Sequence, residues 1–402
     1  MSGAGGPSRR PPSRPPSHRR YPPEVYWRRR LVVVLAVALL VAVIVGIVSL
    51  FSGNSNNSGK NGTSTTTSST SVPLAPSGIG VRTVTWTDTN TNAAYVVNPV
   101  PGGHASPRTL VTEIWYPSIG GSKTKPTAGA RPDRSAGPFP VIVFAHGFDT
   151  VPATYEALLD SWVNAGFVVV APLFPDENAN KINSLGGVTS ELELAESDVV
   201  NEPYDIAYVV SEVESGASGA SSSGAAWLKG LVEPGKYALA GHSDGAQAVA
   251  DLVYAQAQNE EYATTYADLP AHPFAVILLS GSELSGIYAT PANPPQLLFV
   301  QSAIDRCNLP QYAATLLHDV GGGFFLKLLG ASHFSAYIGE GRAAPIVEKV
   351  TVGFLKAALV GTPSVSELSP YLTPAGVATL YPPSSPPVLT TLQPAAGACA
   401  VP

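Results

Sequence analysis

The sequence predicts an α/β domain: a mostly parallel, eight-stranded sheet flanked by helices, without a large lid, and preceded by a single transmembrane helix. Three observations carry this expectation. Continuous apolar runs such as 139–145 and 167–171 alternate with helix-like segments, the pattern of strands buried on both faces. The pentapeptide Gly241-His242-Ser243-Asp244-Gly245 stands between a strand-like and a helix-like run. Residues 31–51 carry no charge over 21 positions.

Residues 1–30 hold eight Arg and one Glu, about +7, while the whole 402-residue chain is at −6. The basic charge is therefore confined to a Pro-Arg tail, read as a disordered cytoplasmic segment and not as a nucleic-acid face. Residues 31–51 would span roughly 31 Å as a helix, the thickness of a hydrocarbon core. Arg28, Arg29 and Arg30 precede this run, so the positive-inside rule puts the N-terminus in the cytoplasm and the rest of the chain outside. A cleaved signal peptide is the alternative, but the apolar run is long for one and Ser49-Leu50-Phe51-Ser52-Gly53 is a poor cleavage site. Residues 52–77, mostly Ser, Thr, Asn and Gly, read as a linker.

Residues 78–360 form the expected catalytic domain. Runs 81–86 and 110–116 are β-rich and lack a helix between them, so the sheet is expected to start antiparallel. The apolar strand 139–145 leads to His146-Gly147-Phe148; a helix over 155–164 ends before Gly166, and strand 167–171 follows. A long helical region over 191–214 is interrupted at Pro203. Strand 236–240 and a helix over 246–258 flank the pentapeptide. Strands 274–279 and 296–301, a helix over 308–318, strand 324–329 and a helix over 344–360 complete the domain. The stretch 280–295 is too short for a lid domain. Residues 361–402 are a Pro-rich extension, expected to wrap the domain irregularly.

This element order is that of the α/β-hydrolase fold, in which a G-x-S-x-G turn after the fifth strand presents a nucleophilic serine. A serine hydroxyl needs such a turn and a base, because it is a weak nucleophile alone. Ser243 is the candidate nucleophile. Acid and histidine are expected to follow it along the chain. Of the seven histidines, His333 alone follows the last strand at the correct edge. His18, His104 and His146 precede the serine, His242 reads as a packing residue beside it, His272 precedes a strand, and His318 lies near a helix end. Asp305, after strand 296–301, is the candidate acid, with Glu283 as its rival. The backbone N–H groups of Asp244 and Phe148 are the candidate oxyanion donors. Cys307 and Cys399 could form one disulfide or remain two thiols. No metal-ligand spacing occurs, and no cofactor is expected.

Three runs carry a family resemblance: 138–148, 165–172 and 198–206. Together they resemble bacterial α/β-hydrolases of the platelet-activating-factor acetylhydrolase-like and chlorophyllase-like group. The run 295–310 is similar to the acid-bearing loop of bacterial cutinases. The resemblance spans about 81–360. It implies a serine esterase with Ser243, Asp305 and His333 as triad, Phe148 and Asp244 at the oxyanion positions, and a small-molecule, lipid or polymer ester as substrate. Asp244 and Ala246 depart from it, since such families often carry Met, Leu or Arg and then Gly there. A cell-envelope acyltransferase with the same triad and a catalytically silent surface-binding protein are the alternatives.

Overall fold

A computed structural model of the chain describes residues 77–90, 103, 107–187, 189–221, 223–255, 266, 269, 271–281, 288–361 and 376–401. The basic tail, the apolar run 31–51, the linker up to residue 76, His104 and Glu283 lie outside the described residues. Among the described residues no helix is long and apolar enough to cross a membrane.

The chain builds β1 (Gly78–Asp88), β2 (Arg108–Ile119), two-residue β3 (Thr127–Ala128) and β4 (Arg131–Pro132), and β5 (Phe139–Ala145). It continues with β6 (Val168–Leu173), β7 (Val232–His242), β8 (Ala275–Leu279), β9 (Gln296–Ser302), β10 (Phe324–Leu328) and β11 (Ala378–Tyr381). They form one sheet in the order β11-β10-β9-β8-β7-β5-β6-β2-β1-β3, with β4 paired to β2. The run from β6 through β5, β7, β8 and β9 to β10 is parallel throughout. The pairs β1/β2, β2/β6 and β10/β11 are antiparallel.

The sheet thus has eleven strands where the sequence predicts eight. β3 and β4 are too short to show a period. β11 comes from the Pro-rich extension, which is therefore not irregular throughout. It pairs with β10 from Phe325↔Tyr381 to Leu328↔Ala378 and covers what would be a sheet edge.

The described helices are α1 (Glu156–Asn164), α2 (Ala179–Ser184), α3 (Thr189–Glu196), α4 (Glu202–Ser218), α5 (Asp244–Tyr254), α6 (Pro310–Asp319) and α7 (Ala344–Leu355). Pro203 does not interrupt a helix; it sits in the first turn of α4, where its missing N–H costs nothing. The break falls earlier, at the 3-10 turn Ser197–Val200.

Alternation along the strands divides the core between the two faces. In β5, Val141, Val143 and Ala145 join Tyr204, Val209 and Val213 of α4, Val249 of α5 and Leu316 of α6. Ile142 and Phe144 point the other way, with Trp162 of α1 and Val347 and Phe354 of α7. The Trp162 indole donates to Thr351 Oγ1 at 2.9 Å and ties α1 to α7.

Candidate active site

Because β5, β7, β9 and β10 run parallel, the loops that follow them all emerge at the same, carboxyl edge of the sheet. Those loops carry Phe148, Ser243, Asp305 and His333, in that order.

Ser243 links β7 directly to α5 with φ 55° and ψ −120°, a strained conformation for a residue with a Cβ. The flanking glycines do not share that positive φ; they supply space. A Cβ on Gly241 would lie 2.2 Å from the Gly245 carbonyl oxygen. One on Gly245 would lie 2.4 Å from the carbonyl oxygens of Ala145 and His146. Helix α5 can therefore start only against bare backbone, and this holds the serine at the sheet edge.

His333 Nε2 is 3.0 Å from Ser243 Oγ, and its Nδ1 is 2.9 Å from Asp305 Oδ2. All three are buried, Ser243 being 7% exposed. The other Asp305 oxygen accepts from the backbone N–H groups of Cys307 (2.9 Å) and Asn308 (3.2 Å). Gln301 Nε2 donates to Asp305 Oδ2 at 3.3 Å and to the Asn308 carbonyl at 2.9 Å. The Asn308 amide donates to Ser243 Oγ at 3.2 Å and to the Ser280 carbonyl at 2.8 Å. Cys307 and Cys399 form a disulfide, so the extension is joined covalently to the loop bearing Asp305.

The turn after β5 is held by its own polar groups. His146 Nε2 accepts from the Phe174 N–H at 3.0 Å, so its Nδ1 donates to the Gly147 carbonyl at 2.9 Å. Burial lowers its pKa to about 4, which keeps it neutral. Thr150 Oγ1 donates to the same carbonyl at 2.5 Å. Neither the Phe148 N–H nor the Asp244 N–H has a hydrogen-bond partner among the described residues. The Phe148 ring packs on a small apolar cluster of Ile182, Leu185 and Ala195, with Leu192 beside it. Helices α2 and α3 thus back one wall of the site.

His242 does more than pack. Its Nε2 donates to the His333 carbonyl at 3.1 Å, and its Nδ1 accepts from the Tyr155 hydroxyl at 2.8 Å. Tyr155 in turn accepts from the Gly147 N–H at 3.3 Å. One chain of hydrogen bonds therefore runs from the Gly147 turn to the His333 loop. Burial, and then the neighbouring His333, lowers the His242 pKa well below its usual value and fixes the neutral ring this chain needs.

The Asp244 carboxyl is buried, and its Oδ2 lacks a hydrogen-bond partner. Burial, then the charge of Glu196, raises its pKa to about 7. Nearby, Glu177 and Glu202 are fully buried, and burial raises both well above the carboxylate range. Arg108 is buried too, and bonds Asp198 and Asp205 with Asp176 at 3.8 Å. It pins the start of β2 to the segment leading into α4.

Of the other histidines, His318 lies exposed beside Asp319 at the end of α6, and exposed His272 precedes β8 at the opposite edge. No group of three or more His, Cys, Asp or Glu among the described residues is arranged to hold a metal. Gln301, Asn308 and Tyr155 were not readable as site residues in the sequence. Only the proximity of Gln301 and Asn308 to Asp305 hinted at two of them.

A family model described as Chlorophyllase matches residues 108–203. That stretch runs from β2 through the Gly147 turn to the start of α4. No match to a curated protein was found. Among solved structures, the chain is similar to a ferulic acid esterase from Streptomyces cinnamoneus, with a TM-score of 0.51 and 18% identity. The match covers 74% of this chain and 94% of that one. The chain has the α/β-hydrolase fold, and it is similar to the chlorophyllase family over residues 108–203, about a quarter of its length, which build β2 to β6.

Proposed function

We propose that the protein is a serine carboxylesterase that works through an acyl-enzyme on Ser243, held outside the cytoplasm by residues 31–51. The observation that carries this reading is His333, hydrogen-bonded to Ser243 Oγ at 3.0 Å and to Asp305 at 2.9 Å, together with two backbone N–H groups, of Phe148 and Asp244, that have no hydrogen-bond partner among the described residues.

In the proposed mechanism, His333 Nε2 takes the Oγ proton as Oγ bonds to the ester carbonyl carbon. The carbonyl electron pair moves onto oxygen, where the N–H groups of Phe148 and Asp244 stabilise it. The carbon–oxygen bond to the alcohol breaks, and His333 returns the proton to the leaving oxygen. Water repeats the sequence on the acyl-enzyme, releasing the acid and restoring Ser243. Asp305 holds the imidazole with Nε2 facing the serine. The Phe148 wall supports an apolar acyl group or ring on that side.

The cytoplasmic N-terminus and outside domain rest on Arg28 to Arg30 before the uncharged run. The Cys307–Cys399 disulfide favours the same oxidising side. Ser243→Ala is expected to abolish hydrolysis of a short p-nitrophenyl ester, and labelling by a fluorophosphonate, without altering the thermal midpoint. Undiminished hydrolysis by that variant would refute the assignment. In a cell-based test, external protease should digest the domain while its N-terminus stays protected.

A further inference from the structure

We propose that Asn308 is a further catalytic residue, whose side-chain N–H stabilises negative charge on Ser243 Oγ both when the serine attacks and when it leaves. The inference deepens the esterase reading and rests on it.

The Asn308 amide has two hydrogens. One goes to the Ser280 carbonyl at 2.8 Å, and because a carbonyl only accepts, this contact fixes which end of the amide is nitrogen. The other goes to Ser243 Oγ at 3.2 Å. Oγ has one proton, directed at His333 Nε2, and two lone pairs. Asn308 takes one pair, which leaves the other for attack on a carbonyl carbon.

At 3.2 Å the bond is at the long end of the ordinary range and its partner is a neutral hydroxyl, so it holds the resting serine only modestly. A hydrogen bond to a charged oxygen is about twice as strong as a neutral one. The donor therefore favours the moments at which Oγ carries charge. In acylation the O–H bond breaks and its proton passes to His333. In deacylation the Oγ–acyl bond breaks, its electron pair goes to Oγ, and His333 returns the proton. One donor acts in both steps.

The donor needs no reorganisation. Asn308 is buried, its N–H is held by Asp305 Oδ1 at 3.2 Å, and its carbonyl is held by Gln301 at 2.9 Å. Its neighbour Cys307 is tied to Cys399. A donor fixed this way in a water-poor site has the features of preorganised electrostatic stabilisation. It is aimed at the nucleophile's oxygen, whereas the N–H groups of Phe148 and Asp244 serve the carbonyl oxygen.

The test compares wild type, Asn308→Leu, Asn308→Ala and Gln301→Leu with p-nitrophenyl acetate, reading the burst for acylation and the steady state for deacylation. Gln301→Leu loosens the same loop without touching Oγ. Both Asn308 variants are expected to slow acylation and deacylation by about 10- to 100-fold. Their KM should stay within about twofold, and the acid limb of kcat/KM should stay in place. Rates within twofold of wild type overturn the proposal. So does a loss accompanied by the same displacement of the acid limb that Gln301→Leu produces, since Asn308 would then act only by bracing Asp305. If Asn308→Leu does not fold, Asn308→Ala carries the measurement; if neither folds, the residue is structural and the proposal fails. A wild-type protein that forms no acyl-enzyme overturns the esterase reading as well. An active wild type matched by Asn308→Leu overturns this inference alone.

Discussion

Asp305 and Asp244 are both carboxylates at the sheet edge, yet their surroundings set them apart. Asp305 accepts hydrogen bonds from two backbone N–H groups, from Gln301 and from His333. Asp305→Asn keeps the shape but presents an N–H or a weaker acceptor to His333. It is expected to lower kcat by about 10⁴-fold while the fold persists; a loss under tenfold would remove Asp305 from its proposed role. Asp244 has the opposite setting, buried with an unpartnered oxygen and a pKa of about 7. It is neutral in mild acid and gains a negative charge as pH rises through 7, next to a backbone N–H proposed to bind an oxyanion. kcat/KM is therefore expected to decline between about pH 6 and 8.5, and Asp244→Asn should remove the decline. Identical pH–rate profiles for the two proteins would contradict this.

Elements position these residues through close backbone approach and through packing on both faces. At the turn into α5, Gly245→Ala places a methyl group 2.4 Å from two carbonyl oxygens that belong to rigid backbone. The start of α5 must shift, carrying Ser243 and the Asp244 N–H with it. Near-complete loss of activity is expected, with a lowered thermal midpoint. On the opposite face, Trp162 fills the space between α1 and α7 and satisfies its indole on Thr351. Trp162→Ala is expected to cost about 3–5 kcal/mol, measured as a shift of the urea midpoint. The C-terminal extension acts through two attachments, the β10/β11 pairing and the disulfide across 92 residues. By chain entropy such a closure is worth about 4.6 kcal/mol. Gln311 adds a two-way amide clamp on Leu392, at 2.9 and 3.1 Å.

Several buried carboxyls have no ion pair among the described residues, and this sets how stability depends on pH at the scale of the whole molecule. Asp244 and Asp251 are each raised to about 7 from an ordinary value of 3.8, first by burial. Glu177 and Glu202 are raised in the same direction. A carboxyl whose folded pKa lies above its unfolded one stabilises the fold fully at low pH, and this contribution is lost as pH rises through the folded pKa. The loss falls between about pH 4 and 7 for the two aspartates. The thermal midpoint is therefore expected to drop from pH 5 to pH 8, and Asp251→Asn should flatten the drop; a midpoint constant or rising over that range would contradict it. Much of the molecule is legible in one dimension. The apolar runs of β5 to β10 and the two glycines around Ser243 are local signals, set by burial on both faces and by the need for bare backbone at one turn. β11 is not legible in the sequence because a four-residue strand shows no period. The break before α4 lies ahead of Pro203 and not at it, because proline inside a helix and proline in its first turn look alike in a sequence. By itself the sequence determined the order of the main strands and helices, the serine turn, and the residues that could answer it from later loops. Only the tertiary structure decided which of them meet. His333 lies 90 positions from Ser243, and Asn308 lies 65 from it, so their contacts depend on strand order and register. The same is true of the His242–Tyr155 chain, the buried acids and the anchored tail. Each is a contact between segments far apart in sequence, which local preferences cannot specify and the shared carboxyl edge of a parallel sheet can.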